Sequence, residues 1–337
     1  MVIYMHSIDL SKYNIRSDLI IENNAVDFIK ESYEENNIKV DYIKLDKDNS
    51  LNKKMGDYIT ISFSDVTDEN NFNNVLKILD KEIKRILELT NIKKNDKCLI
   101  IGLGNNKSTP DSLGYETLKN ITITRHLYII GDVDKKYRNV SILEPNVFGN
   151  TGIESKEIIT GVIKETNPDF IIVIDSLAAS NIDRVQKTIQ ITNTGIHPGS
   201  GIGNNRGELS IDTIKIPVIA IGIPTVVSSA VIVNDTINYL MKKISYHKHN
   251  YQKDKLTFKN NINYLKEENT LSNYEKQELL GLIGTLSDME IKELILEVLN
   301  PIGYNLIVTT KEIDFIIEKL GKLLGTSLNN TLHTSIN

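Results

Sequence analysis

The chain is 337 residues long and carries 39 basic and 44 acidic side chains, a formal net charge of −5 at pH 7. Hydrophobic residues at 40% and charged residues at 25% are ordinary for a globular protein able to bury a core without covalent staples. One cysteine, Cys98, excludes an intramolecular disulfide framework, while mild acidity, no Trp and scattered Tyr and Phe argue against a protein that coats or stacks on nucleic acid.

The opening MVIYMHSIDLSKYN lacks the basic start and long apolar run of a signal peptide. No apolar run reaches the roughly 20 residues that cross a bilayer, so a soluble, cytoplasmic protein is expected. Residues 1–95 are polar and rich in Asn, Lys and Asp, a compositional bias that carries no functional signal by itself. Within them YITISF (58–63) alternates as a strand does, and Val75, Leu76, Leu79, Ile83, Ile86 and Leu87 recur at helical spacing inside 72–89. Residues 97–240 are richer in glycine and in short apolar runs: CLIIGL (98–103), HLYIIG (126–131), FIIVID (170–175), TIQIT (188–192) and VIAIGI (218–223). Such runs, rich in Ile and Val and separated by helical stretches, predict buried strands. Residues 154–165 read as a crossover helix and 225–244 as another. The stretch 246–270 is polar and Lys/Asn-rich, an exposed excursion. Helical patterns follow at 274–283 and 288–298, then the run YNLIV (304–308) and an amphipathic helix over 311–324. The expected fold is α/β, an open twisted sheet flanked by helices.

In such a sheet, ligands bind beyond the carboxyl ends of the strands. CLIIGL leads into GNNKSTPDSLG (104–114), FIIVID ends on Asp175, TIQIT leads into NTGIHPGSGIGN (193–204), and VIAIGI leads into Pro224-Thr225. Parallel strands would bring Asp111, Asp175 and His197 to one edge; an antiparallel TIQIT would break that convergence. A carboxylate directly after five apolar residues, as at Asp175, is poorly solvated unless paired. Burial and a second carboxylate raise one pKa, so that two acids can share a proton. One then serves as general base on a water while the other protonates a carbonyl oxygen or leaving nitrogen. The same positions also suit structure alone, Asp175 as a helix cap and Asp111 as a Pro-Asp turn residue.

Of six histidines, His197 stands out in a loop of Gly, Pro and Ser, whereas His247 and His249 lie in a Lys-rich stretch that water solvates. There is no HExxH and no cysteine pair, so the standard zinc signatures are missing. GLGNNK (102–107) starts like a dinucleotide fingerprint but has Lys107 at its sixth position. PGSGIGNN (198–205) offers backbone N–H groups for an anion nest, without the Lys-Ser/Thr ending of a P-loop. Cys98 opens a buried run and reads as a small hydrophobe.

Taken together, GLGNNKSTPDSLG (102–114), ITRHL (123–127), IDSLAA (174–179), TIQITNTGIHPGSGIGNNRGELS (188–210) and IPVIAIGIPTVV (216–227) resemble the germination protease family of spore-forming Firmicutes. YNIRSDLIIE (13–22) and NPIGYNLIVTTKEID (300–314) extend the resemblance to nearly the whole chain, with the poorest match in 23–95 and 246–285. It implies an atypical aspartic-type endopeptidase that degrades small acid-soluble spore proteins during germination, with a fold similar to the hydrogenase maturation endopeptidases (phosphorylase/hydrolase-like). The two family aspartates fall on Asp111 and Asp175, with His197, Gly104 and Asn105 as site neighbours. The resemblance also implies a zymogen that loses residues 1–9 by cleavage at Asp9–Leu10, leaving 10–337 as a single catalytic domain. It further implies a homotetramer in the spore core, no cofactor, and no contact with nucleic acid or membrane. An alternative keeps the fold and gives Asp111, Asp175 and His197 a divalent metal. Two positions depart from the pattern: Asn193 stands where the family commonly has Asp, and Ser180 where Arg usually follows IDxLAA.

Overall fold

The computed structural model describes residues 18–22, 28–46, 49, 51, 53–131, 133–134, 136–197, 207–250, 270–299 and 306–333. Expectations for the Asp9–Leu10 junction, the 198–205 loop and most of the 246–270 excursion lie outside them; 246–250 close a helix. The chain divides into two compact units, one of 16–179, 183–226 and 309–337, the other of 1–15, 180–182 and 227–308.

The first unit is α/β, as expected. Its elements in chain order are β1 (Ile29–Glu35), β2 (Ile38–Leu45), β3 (Gly56–Ser62), α1 (Glu69–Leu89), β4 (Cys98–Gly102), α2 (Leu113–Leu118), α3 (Arg125–Ile130), β5 (Val140–Leu143), α4 (Phe148–Thr151), α5 (Ser155–Thr166), β6 (Phe170–Ala179), β7 (Thr188–Thr192), α6 (Ile211–Ile214) and β8 (Val218–Ser228), which runs into the second unit. The second unit continues with α7 (Ser229–Asn250), α8 (Asn273–Leu280), α9 (Asp288–Leu299) and β9 (Ile307–Val308). The first then closes with α10 (Ile313–Leu332).

The sheet is open and mixed, in the order β1-β2-β3-β7-β8-β6-β4-β5. Strands β1, β2, β3, β7 and β8 pair antiparallel in turn, whereas β6, β4 and β5 pair in parallel. Between the two sets, the Ile171 N–H donates to the Pro217 carbonyl at 2.9 Å. Farther along both strands, Leu177 packs over Gly222. Position advances on both together, so β6 and β8 are parallel. TIQIT is therefore the antiparallel strand β7, and it leaves the sheet at the edge opposite to the carboxyl ends of β4, β6 and β8.

Strand alternation sorts the apolar residues onto two faces. Ile100, Ile172, Ile174, Ile189 and Ile221 pack with Ile83 of α1 and Leu320 and Leu324 of α10. Leu99, Ile101, Ile171 and Val173 pack with Ile159 of α5 and with Leu209 on the other face. Helices on both sides explain why these strands read as unbroken apolar runs. In the second unit, Val227 and Ser228 of β8 pair antiparallel with β9, and α7 packs on α9. Ser272 caps α8 reciprocally with Glu275.

One expected strand is a helix. HLYIIG (126–131) forms α3, closed by Gly131 at φ +84°, whose N–H donates to the Leu127 carbonyl at 2.9 Å. A short apolar run fits either element by period alone. The strand in that region is β5, which pairs with β4 from Cys98↔Val140 to Ile101↔Leu143. The expected helix over 225–244 begins later, because β8 runs on to Ser228.

Candidate active site

The loop leaving β4 is shaped by glycine. Gly104 sits at φ +105°, and a Cβ there would lie 2.0 Å from the Asp111 carbonyl oxygen and 3.0 Å from its Oδ1. Only glycine lets the backbone and carboxylate of Asp111 lie so close over that residue. The Asn105 N–H donates to the same Asp111 carbonyl at 2.9 Å, and the Asp111 N–H donates to the Ser108 carbonyl at 2.8 Å. Thr109–Asp111 form one 3₁₀ turn, with Pro110 in its first positions, and this turn packs against β6. The half-buried Asp111 is thereby fixed relative to the strand that carries Asp175.

On that strand, pairing with β4 ends at Gly102↔Ile174, and the Leu103 N–H makes a further bond to the Ile174 carbonyl at 2.8 Å. Asp175 is the next residue, only 7% exposed, inside a strand that continues to Ala179. It neither ends its strand nor caps a helix. It stands where the neighbouring strand leaves the sheet, on the face shared by Ile171 and Val173. Its Oδ1 accepts from the Ser176 N–H at 2.9 Å. A carboxylate at that depth loses much of its hydration, which strengthens its interaction with any nearby charge.

Beyond β6's pairing with β4, the N-terminal segment takes over. The Asp18 N–H donates to the Ala178 carbonyl at 3.2 Å, and its Oδ2 accepts from the Ala178 N–H at 2.9 Å. Gln190 of β7 holds the same segment, accepting from the Ile20 N–H at 2.6 Å.

Asn105, Asn146 and Asn150 link the site loops. The Asn105 side chain accepts from the Lys107 N–H at 3.1 Å and from Asn150 Nδ2 at 3.0 Å. Asn150 Nδ2 also donates to Asn146 Oδ1 at 2.7 Å. Asn146, at φ +61°, presents its carbonyl to the Ser155 hydroxyl at 2.7 Å and so anchors the start of α5. The sequence signal was positional: Asn105 and Asn146 follow β4 and β5 at the sheet's carboxyl edge.

His197 belongs elsewhere. It follows the antiparallel β7, is 53% exposed at its side chain, and approaches Glu208 at 3.7 Å. Glu208 also bonds Lys54, which reaches Asp212 at 2.9 Å and the Ser210 hydroxyl at 3.2 Å. Although burial opposes it, the hydrogen bonds that Lys54 donates to Glu208 and Asp212 hold its ammonium above its ordinary range. The same Lys54 bond, with help from Ser210 and His197, outweighs burial and holds the Glu208 carboxyl below its range. The base of the loop is closed by the Ile196↔Leu209 bridge. Among the described residues no three His, Cys, Asp or Glu side chains form a group that could hold a metal, so Asp111, Asp175 and His197 do not assemble as a ligand set. The convergence expected of parallel strands fails for His197 because β7 runs the other way.

Asn193 has a local reason. Its Oδ1 accepts from the Asp57 N–H at 2.9 Å and its Nδ2 donates to Asp57 Oδ2 at 2.8 Å. Asp57, 7% exposed, also accepts from the Tyr42 hydroxyl at 2.7 Å. Burial, followed by that bond to Asp57, pushes the Tyr42 hydroxyl up to about 12.

No helix among the described residues is long and apolar enough to cross a membrane. The family model described as germination protease matches residues 10–337. The chain is similar to a germination protease of Geobacillus sp. (strain WCH70), 41% identical over 98% of this chain and 96% of that protein. It is similar at 40% identity to one of Bacillus cereus (strain ATCC 10987 / NRS 248) and at 39% to one of Bacillus velezensis (strain DSM 23117 / BGSC 10A6 / LMG 26770 / FZB42), with the same coverage.

Proposed function

Because the chain belongs to the germination protease family, we propose that it is an endopeptidase that hydrolyses small acid-soluble spore proteins in the spore core, using Asp111 and Asp175 as an aspartic pair. The observation that carries this reading is the placement of Asp175. It is a buried carboxylate at the level where β4 leaves the sheet, with the Asp111 turn packed on the same strand. In the reaction a water adds to the scissile carbonyl carbon as one carboxylate removes its proton. The partner's proton neutralises the developing oxyanion. Collapse of the tetrahedral intermediate then breaks the C–N bond as the nitrogen takes the proton removed from water by the first carboxylate, and a hydroxyl of the intermediate returns its proton to the second. In this reading one carboxylate acts as base while the other carries the proton, so each supplies what the other lacks.

The same reading takes 1–9 as a propeptide cleaved at Asp9–Leu10, 10–337 as the catalytic domain, and a homotetramer as the working assembly. The hold of Asp18 on Ala178, three residues past Asp175, supports a link between the N-terminal segment and the site.

The test is cleavage of a purified small acid-soluble spore protein by wild type, Asp111→Asn and Asp175→Asn, with mass spectrometry of the enzyme's own N-terminus. Each substitution should lower the rate by about 10²–10⁴-fold, the range of general acid–base catalysis, while the protein stays folded. Loss of residues 1–9 by the wild type should also stop in Asp175→Asn. Wild-type turnover in either aspartate variant would overturn the pair.

A further inference from the structure

We propose that the C-terminal helix α10 positions Asp111 through Gly321 and Gly325, acting by way of α2; this rests on the reading of Asp111 as catalytic. Glycine in the middle of a helix is less favourable than alanine, and α10 carries two such residues. Their neighbours show what that cost permits. A Cβ at Gly321 would lie 2.6 Å from Glu116 Cβ and 2.7 Å from the Glu116 carbonyl carbon. A Cβ at Gly325 would lie 2.5 Å from Asn120 Cβ and 3.1 Å from the Thr117 carbonyl oxygen. Gly321 therefore sets the backbones of α10 and α2 closer than a side chain there allows, and Gly325 makes room for Asn120 just past the end of α2.

The other side of α2 is held in the same way. A Cβ at Gly114 would lie 2.4 Å from the Leu103 carbonyl oxygen and 2.7 Å from the Gly102 backbone. Helix α2 is thus wedged between β4 and α10 with glycine contacts on both sides. Below it, the Asn329 side chain accepts from the Thr122 N–H at 2.9 Å and donates to the Asn120 carbonyl at 2.8 Å. Asp111 lies two residues before α2, in a turn that α10 also touches. Between it and α2 lies only Ser112, whose N–H donates to the Thr109 carbonyl at 3.1 Å and whose carbonyl accepts from the Glu116 N–H at 2.9 Å, so the turn and the helix are joined without an intervening loop. Gly321 and Gly325 are positioning residues: they touch no substrate and act through the height of α2 over the sheet.

The test compares kcat and KM of the full chain on a small acid-soluble spore protein for wild type, Gly325→Ala, Gly325→Ala/Asn120→Gly, Asn329→Ala and Gly161→Ala. Gly325→Ala should lower kcat by about tenfold or more with KM within about twofold, since small misplacements of catalytic groups cost rate more than binding. Removing Asn120 Cβ deletes the atom that the new methyl meets, so the double variant should recover kcat to within about threefold of wild type. Gly161, whose Cβ would meet nothing within 4 Å, should tolerate alanine with unchanged kinetics. Unchanged kcat in folded Gly325→Ala, or a loss that Asn120→Gly does not restore, overturns the proposal. If Gly325→Ala fails to fold, Asn329→Ala decides, because it removes two bonds and adds no atom: a severalfold lower kcat supports the proposal and a wild-type kcat overturns it. Asp111→Asn is run alongside. Full activity there would sink the aspartate reading itself, whereas an inactive Asp111→Asn beside a fully active Gly325→Ala would sink only the positioning role.

Discussion

The parallel and antiparallel halves of the sheet are built from similar apolar residues and solve different problems. Strands β4, β5, β6 and β8 run together, so the loops after β4 and β5 and the open end of β6's pairing share one edge, where Asp111 and Asp175 lie. Strands β1, β2, β3 and β7 alternate in direction, and their connections divide between the two edges. Residues that look equivalent in sequence, each just beyond an apolar run, therefore end up at opposite ends of the molecule's sheet. Strand direction, rather than residue type, decides which of them can cooperate.

The sharpest way to break this comparison is at Gly104, where the parallel half folds its loop back over itself. Gly104→Ala adds a methyl 2.0 Å from the Asp111 carbonyl oxygen, at a φ of +105° that side chains rarely adopt. The strain is about 1–3 kcal/mol, and relief requires Asp111 to move. Activity on a small acid-soluble spore protein should fall by about 10²-fold or more, with a smaller loss of stability by urea unfolding. A fully active, stable Gly104→Ala would show that the loop tolerates a displaced Asp111.

The second test sits in the antiparallel half and turns on charge. Asn193 gives Asp57 one donor from its amide and accepts one bond from its backbone, a complementarity that a carboxylate cannot reproduce. Asn193→Asp would set two carboxylates against each other and should destabilise the fold by about 1–3 kcal/mol at neutral pH. The two carboxylates repel only when both are charged. The penalty is therefore small in acid, where a proton lies between them, and grows as pH rises and the second carboxyl ionises. Thermal unfolding should show the gap to wild type closing on acidification and widening toward neutrality. A gap that is independent of pH would assign the effect to packing.

Legibility followed burial rather than strand direction. Strands covered on both faces announce themselves as apolar runs, which is why β4, β6, β7 and β8 could be read. The β1–β2 hairpin could not, because β1 is largely exposed and reads as IKESYEE. Its signal was the turn: Asn36 and Asn37 lie at φ +52° and +61°, the left-handed pair that a two-residue hairpin demands. Asp175 was legible as a carboxylate after an apolar run, but its place inside a ten-residue strand was not, since pairing beyond Ile174 is supplied by a segment from the far end of the chain. The role of α10 in holding α2 was invisible for a related reason. Gly321 and Gly325 lower helix propensity locally, and only the partner backbone shows why they are there.

The smallest expected effect belongs to His197, and it bears most directly on the comparison. A histidine in a glycine-rich loop after a buried strand carries the look of a catalytic base. Its side chain is instead 53% exposed and shares Glu208 with Lys54, on a strand that leaves the sheet away from the aspartates. A partly exposed pair of this kind contributes about 0–1 kcal/mol, because water screens the charges and both side chains lose freedom. His197→Gln should therefore leave kcat/KM within about fivefold of wild type, while Lys54 continues to hold Glu208. Strand direction gives the reason: with β7 antiparallel, a shift of His197 has no continuous strand to Asp175 along which to act. A loss of about 10²-fold or more in His197→Gln, in protein that keeps its wild-type unfolding midpoint, would mean that the two edges of the sheet meet in the substrate complex, and that strand direction alone does not partition the chemistry.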